Sequence, residues 1–213
     1  MAVNLQKGQR VDLTKSDGSV LSSVMIGLGW DEVKRPDTPP AKGGFFSGLF
    51  GGGGNSRKKI HDIDCDASVF VCRDGKLRSS DDVVYFGNLE HHSGAIKHMG
   101  DNLTGEGEGD DEEIFVDLFK LPRDCDKVVF VVNVYKARER NQDFGKIKNA
   151  FIRICDNNTG EEFFRYDLSE NYEGMTAMIF GEIYRRNDQW RFNAIGQATT
   201  DDNLTELAER FRH

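Results

Sequence analysis

Lys127 to Tyr135 reads KVVFVVNVY, and seven of its nine residues are β-branched or aromatic. Such side chains fit a pleated surface and disfavour a helix. Apolar residues occupy both alternating faces of the stretch instead of one. A strand covered on both sides is therefore expected, central in its sheet. Downstream, Ala150–Cys155, Glu162–Leu168, Thr176–Arg185 and Gln189–Ile195 predict four more strands. Asp156 to Gly160 and Asn187–Asp188 supply the turn residues between them. Upstream, Ile114, Val116 and Leu118 alternate with Phe115, Asp117 and Phe119, which is strand periodicity. Val11–Thr14, Ser22–Trp30, Ala67–Cys72 and Val83–Phe86 complete about ten strands, with turns at Ser16–Asp17–Gly18 and Asp74–Gly75. The segment Asn88–Met99 reads as a polar connection, and Ala137–Lys148 has room for a short helix. Leu204, Leu207, Ala208 and Phe211 recur at helical spacing, so residues 200–212 predict one amphipathic helix with Thr200 or Asp201 as N-cap. Many short strands and one terminal helix predict an all-β fold, a β-sandwich, forming a single domain over residues 1–213.

One stretch does not fit that pattern. Residues 36–59 read PDTPPAKGGFFSGLFGGGGNSRKK, a flexible Gly/Pro-rich insertion by composition. Phe45, Phe46, Leu49 and Phe50, followed by Arg57, Lys58 and Lys59, make a contact with a membrane surface one use for it. A weak protein contact and an ordinary mobile loop are the plainer uses.

Charge is as unevenly spread as proline and glycine. The chain has 28 basic and 36 acidic residues, a net charge of −8. Gly100 to Glu113 reads GDNLTGEGEGDDEE and holds seven acids with no Lys or Arg. Asp62, Asp64 and Asp66 alternate with Ile63 and Cys65, which directs three carboxylates to one side of a strand. Without these ten acids the chain carries 28 basic and 26 acidic residues, so its acidity is local. No basic stripe balances it, which argues against a nucleic-acid binder. Crowded carboxylates repel unless a cation sits among them. Ca²⁺ takes six to eight oxygens in flexible geometry, and glycines let carbonyls turn toward it. A solvated acidic loop is the plain alternative. The Asp series is not an EF-hand loop, since Ala67 stands where glycine is required and Arg73 where glutamate belongs.

Other chemistries find less support. The cysteines, Cys65, Cys72, Cys125 and Cys155, form no CxxC pair and no zinc pattern, and read as buried free thiols. His91, His92 and His98 lie close together and would suit a transition metal if the fold fixed them. No GxSxG elbow marks a nucleophile, and GEGEG is followed by no GK[ST]. A metal-dependent hydrolase would need a base beside an open coordination position, and no residue pattern identifies one. The N-terminus has no apolar core of signal-peptide length and no run is long enough to span a membrane, so a cytoplasmic protein is expected.

The motifs together resemble the TerD family of tellurium-resistance and stress-response proteins. The matching stretches are VNLQKGQRVDLTK near the N-terminus, GLGWD at Gly27–Asp31, DxDxDAS at Asp62–Ser68 and GDNLTGEGEGDDE at Gly100–Glu112. They continue with DKVVFVV at Asp126–Val132, AFIRICDNNTGEE at Ala150–Glu162, RYDLSE at Arg165–Glu170 and TAMIFGEIYRRNDQWRFNAIGQ at Thr176–Gln197. The insertion at 36–59 departs from the family pattern. The resemblance implies a β-sandwich that binds two Ca²⁺ ions near one end. It carries the ligand role onto Asp64, Asp66, Asp101, Asn102, Glu106, Asp110, Asp111 and Glu112. Leu103, Gly105 and Gly107 are implied as carbonyl donors, with Asp31 and Asp62 as second choices. The function implied is non-enzymatic: a calcium-ordered docking module in tellurite resistance, with other stress-response proteins as partners. The alternative is calcium-dependent membrane docking, similar to that of C2 domains.

Overall fold

The computed structural model describes residues 2–15, 17–32, 63–100, 109–168 and 170–213. Within them the strands are β1 (Val3–Asn4), β2 (Arg10–Asp12), β3 (Ser23–Glu32), β4 (Cys65–Cys72), β5 (Val83–Val84) and β6 (Ile96–His98). They continue as β7 (Glu112–Asp117), β8 (Lys127–Val134), β9 (Ile147–Asp156), β10 (Glu162–Asp167), β11 (Ala177–Arg186) and β12 (Gln189–Thr199). The helices are α1 (Ala137–Arg140) and α2 (Leu204–Glu209). The strands form two six-stranded sheets, ordered β1-β10-β9-β3-β7-β6 and β2-β12-β11-β8-β4-β5. The β1–β10 pair is parallel; the other strand pairs are antiparallel. This is an all-β sandwich.

The two-sided apolar pattern of KVVFVVNVY has a direct cause. Val128, Phe130, Val132 and Val134 enter the core between the sheets. Val129 and Val131 point the other way, into a second apolar cluster with Phe70, Ala177 and Ile179. Leu207 and Ala208 of α2 cover that cluster, and Phe211 sets its ring 5.3 Å from Phe70. Each fully buried aliphatic side chain contributes about 1.5–3 kcal/mol, which is why so short a helix stays docked. β8 lies between β4 and β11, as its composition requires.

Several boundaries differ from expectation. The cap of α2 is Asn203, whose side chain accepts from the Glu206 amide at 3.0 Å. Asp201 is otherwise occupied, accepting from Arg210 and from the Thr199 hydroxyl. β6 arises in the stretch read as a polar connection and β1 in one given no element, and β5 is two residues long because Tyr85 turns back to bridge Asn88. Asp74 and Gly75 both take positive φ, 52° and 71°, and form the expected tight turn. No helix among the described residues is long and apolar enough to cross a membrane. The 36–59 insertion lies outside the described residues.

Candidate metal centre at the acidic end

Asp64 and Asp66 lie at the start of β4, in one sheet; Asp111 and Glu112 lie at the start of β7, in the other. The thiol of Cys65 is pushed far above its usual range, first by burial and then by the charges of Asp66, Asp64, Glu112 and Asp111. One buried atom thus senses carboxylates from both layers.

Glu112 is the most deeply placed of the four, 2% exposed. Its Oε2 accepts the Ala67 amide at 2.7 Å. His98 brings Nε2 to 3.3 Å from the same oxygen and to 3.2 Å from the Ala67 carbonyl. The other ring nitrogen accepts the Gly100 amide at 3.1 Å, which assigns the His98 proton to Nε2. Ala67 lies beyond the reach of β5, which pairs only with Val69 and Phe70. Two side chains from the opposite sheet therefore take its backbone groups.

Asp111 continues the β3–β7 ladder. Its amide donates to the Leu28 carbonyl at 2.8 Å, and its Oδ2 accepts the Trp30 amide at 2.7 Å. Burial holds its carboxyl above the usual range; the Trp30 amide works against this, and the charges of Asp31 and Asp110 add to it. Asp31 is exposed and accepts from the Asn149 side chain at 2.7 Å. Asp64 faces an Arg140 nitrogen at 3.4 Å, and Asp66 faces the Asn133 amide at 3.5 Å. Both carboxylates are buried, at 8% and 5% exposure.

Asp110 stands apart. The Arg153 fork holds it with contacts of 2.7, 3.0 and 2.7 Å, and Arg153 also reaches Glu162 at 3.2 Å. The pair lies over Gly27, where an added Cβ would come within 2.2 Å of Asp110 Oδ2. Gly27 is thus the space Asp110 fills. Asp62, Asp101, Asn102, Leu103, Gly105, Glu106 and Gly107 lie outside the described residues.

Beside Asp66 a cleft of about 540 Å³ opens, lined among others by Ser68, Tyr85, Phe86, Asn133 and Leu204. Among the described residues, Ser68 Oγ and Asn133 Oδ1 are buried without a hydrogen-bond partner. The sequence hid this cleft, because it forms where α2 crosses the outer face of β4 and β8. All four cysteines are free and buried, and burial pushes Cys72 up to about 12 and Cys125 up to about 11.

A family model described as the TerD domain matches residues 1–211. The chain belongs to the TerD family. Its relatives include the stress response protein SCP2 of Bacillus subtilis, 49% identical over 211 residues, covering 99% of this chain and all of that one. The tellurium resistance protein TerD of Serratia marcescens is 39% identical over 198 residues, covering 92% of this chain and 91% of its own length. Among solved structures, a telluride resistance (TerD) homologue from Streptomyces coelicolor superposes with a TM-score of 0.60 at 19% identity, covering 87% of this chain and 94% of that one. This TerD-family chain shares their fold, with the acidic residues at the starts of β4 and β7.

Proposed function

We propose that this TerD-family chain is a non-enzymatic, calcium-binding stress-response protein of the cytoplasm that contributes to tellurite resistance. The family membership and the names of its relatives support the stress-response part. The calcium part is carried by one observation: Glu112 of β7 reaches across to the Ala67 amide of β4 at 2.7 Å, next to Asp66, so carboxylates from both sheets gather at one end.

The residues suit a hard divalent ion. Their donors are oxygens, and one of them, Asp111, is held above its usual range by burial and by neighbouring negative charge. Asp64, Asp66, Asp111 and Glu112 would hold the ion, joined by Asp101, Asn102 and Glu106 from outside the described residues. Bound calcium supplies positive charge that relieves carboxylate repulsion and ties the two sheets together at that end. Asp110 is already matched by Arg153 and gains least. The cleft beside Asp66 is then the place for a partner protein to dock, with its geometry dependent on the state of Asp66.

Calorimetric titration of Ca²⁺ into the metal-free protein, with melting followed in parallel, tests this. Saturable binding is expected, with a stability gain of about 2.7 kcal/mol at a hundredfold excess over Kd. The double variant Asp111→Asn/Glu112→Gln should lose both signals. Absence of saturable heat, or unchanged affinity in the double variant, overturns the proposal.

A further inference from the structure

The three clustered histidines part company in the fold. His98 turns to Glu112 and Ala67, whereas His91 and His92 stay together with ring centroids 4.1 Å apart. Asp82, at the end of the 3₁₀ turn Ser80–Asp82, is the third side chain beside them. Its Oδ1 lies 3.3 Å from His91 Nε2. Among the described residues, this is the group where three metal-ligating side chains bring an atom each within 4.8 Å of one another. We infer that Asp82, His91 and His92 form a second metal site, for a first-row transition ion of the zinc class.

The donor set argues for that class. Two imidazoles and one carboxylate suit Zn²⁺, Co²⁺, Ni²⁺ and Cu²⁺ and give calcium too few oxygens. The surroundings of Asp82 and His91 are fixed as such sites require. Arg73 grips the other oxygen of Asp82 at 2.6 Å and aims Oδ1 at the histidines. Asp124 balances Arg73 at 2.8 Å, so the added guanidinium does not leave the corner positive. His91 Nδ1 meets the Ser93 hydroxyl at 2.7 Å and accepts the Ser93 amide at 3.3 Å; once Nε2 binds an ion the ring proton moves to Nδ1 and the hydroxyl turns to accept a hydrogen bond from it. Tetrahedral zinc with bonds of about 2.1 Å holds its ligand atoms about 3.4 Å apart, so the cluster need close by no more than about 1.4 Å. Asp82 and His91 are buried and positioned already, and His92 is exposed, so its ring makes the closing movement. The exposed side leaves the fourth position to water.

The test uses the full chain in millimolar Ca²⁺, which occupies oxygen sites and competes poorly for imidazole. Zn²⁺ titration should show one saturable site, and His92→Ala should weaken it at least tenfold. Because His92 is exposed, that variant keeps the fold, and its melting curve without zinc serves as the control. Substoichiometric Co²⁺ should shift or broaden the ring signals of His91 and His92 in nitrogen-correlated NMR and leave His98 much less affected. Zinc binding that is absent in calcium, unchanged in His92→Ala, or accompanied by Co²⁺ effects centred on His98 overturns the inference.

Discussion

The acidic end and the histidine corner are assembled from the same kinds of residue, and they differ in balance. At the acidic end, Asp64, Asp66, Asp111 and Glu112 act together on Cys65, and Arg140 approaches one of them at 3.4 Å. At the corner, Arg73 meets Asp82 at 2.6 Å, and the donors added are ring nitrogens. One region gathers carboxylates from both sheets; the other sets a single carboxylate against an arginine and adds ring nitrogens. The difference teaches that a carboxylate's role is set by what already faces it. Asp110, gripped by Arg153, shows the same rule within the acidic stretch itself.

Removing the carboxylate at each place should therefore have opposite signs. Asp82→Ala leaves Arg73 and His91 without their buried partner and should cost about 3 kcal/mol in urea unfolding. A loss below about 1 kcal/mol would show that the corner is not held by this pair. Gly27→Ala comes next. Its methyl group displaces Asp110 from Arg153, an overpacking cost of about 2 kcal/mol. Calcium affinity should change less than twofold in that variant, and a larger change would move Asp110 into the calcium set. Asp111→Asn should stabilise the metal-free protein by about 0.5 kcal/mol, because the Trp30 amide keeps its acceptor and the repulsion goes. Destabilisation by that variant in chelator would contradict the reading of the acidic end.

The smallest effect sets a baseline. Asp156 lies at the other end of β3, where Val24 pairs with it, whereas Asp111 bonds to Leu28 and Trp30. The Lys15 hydrogen bond holds the Asp156 carboxyl below its usual range; burial opposes this, and Asn158 assists. A depressed carboxyl stabilises the fold above its unfolded value, about 3.9, and that stability is lost as pH falls through the lower folded value. Asp156→Asn should accordingly lower the melting temperature slightly at pH 7 and flatten the acid limb, so that the two profiles converge below about pH 4.

Much of this was legible in the chain. KVVFVVNVY announced its two-sided burial, and Asp74–Gly75 and Asn187–Asp188 marked turns that the structure forms with positive φ. The grouping of His91 with His92 was visible as adjacency. What could not be read was the third member. Asp82 precedes His91 by nine residues across β5 and a turn, and only the Tyr85–Asn88 reversal brings it back. The Arg153–Asp110 pair was hidden for the same reason, since it depends on β3 and β9 lying side by side with Gly27 opposite Arg153. The strand β6 was missed because IKH has a single strongly apolar residue, and its pairing is supplied by β7.

Ala67 gives the acidic end a further significance. Past β5, β4 would present bare amide and carbonyl groups along an open margin, the kind of template on which a second chain can add a strand. Glu112 and His98 close that margin with side chains, at 2.7 and 3.2 Å. The glutamate proposed to hold an ion thereby also occupies a backbone position that a neighbouring strand would otherwise take.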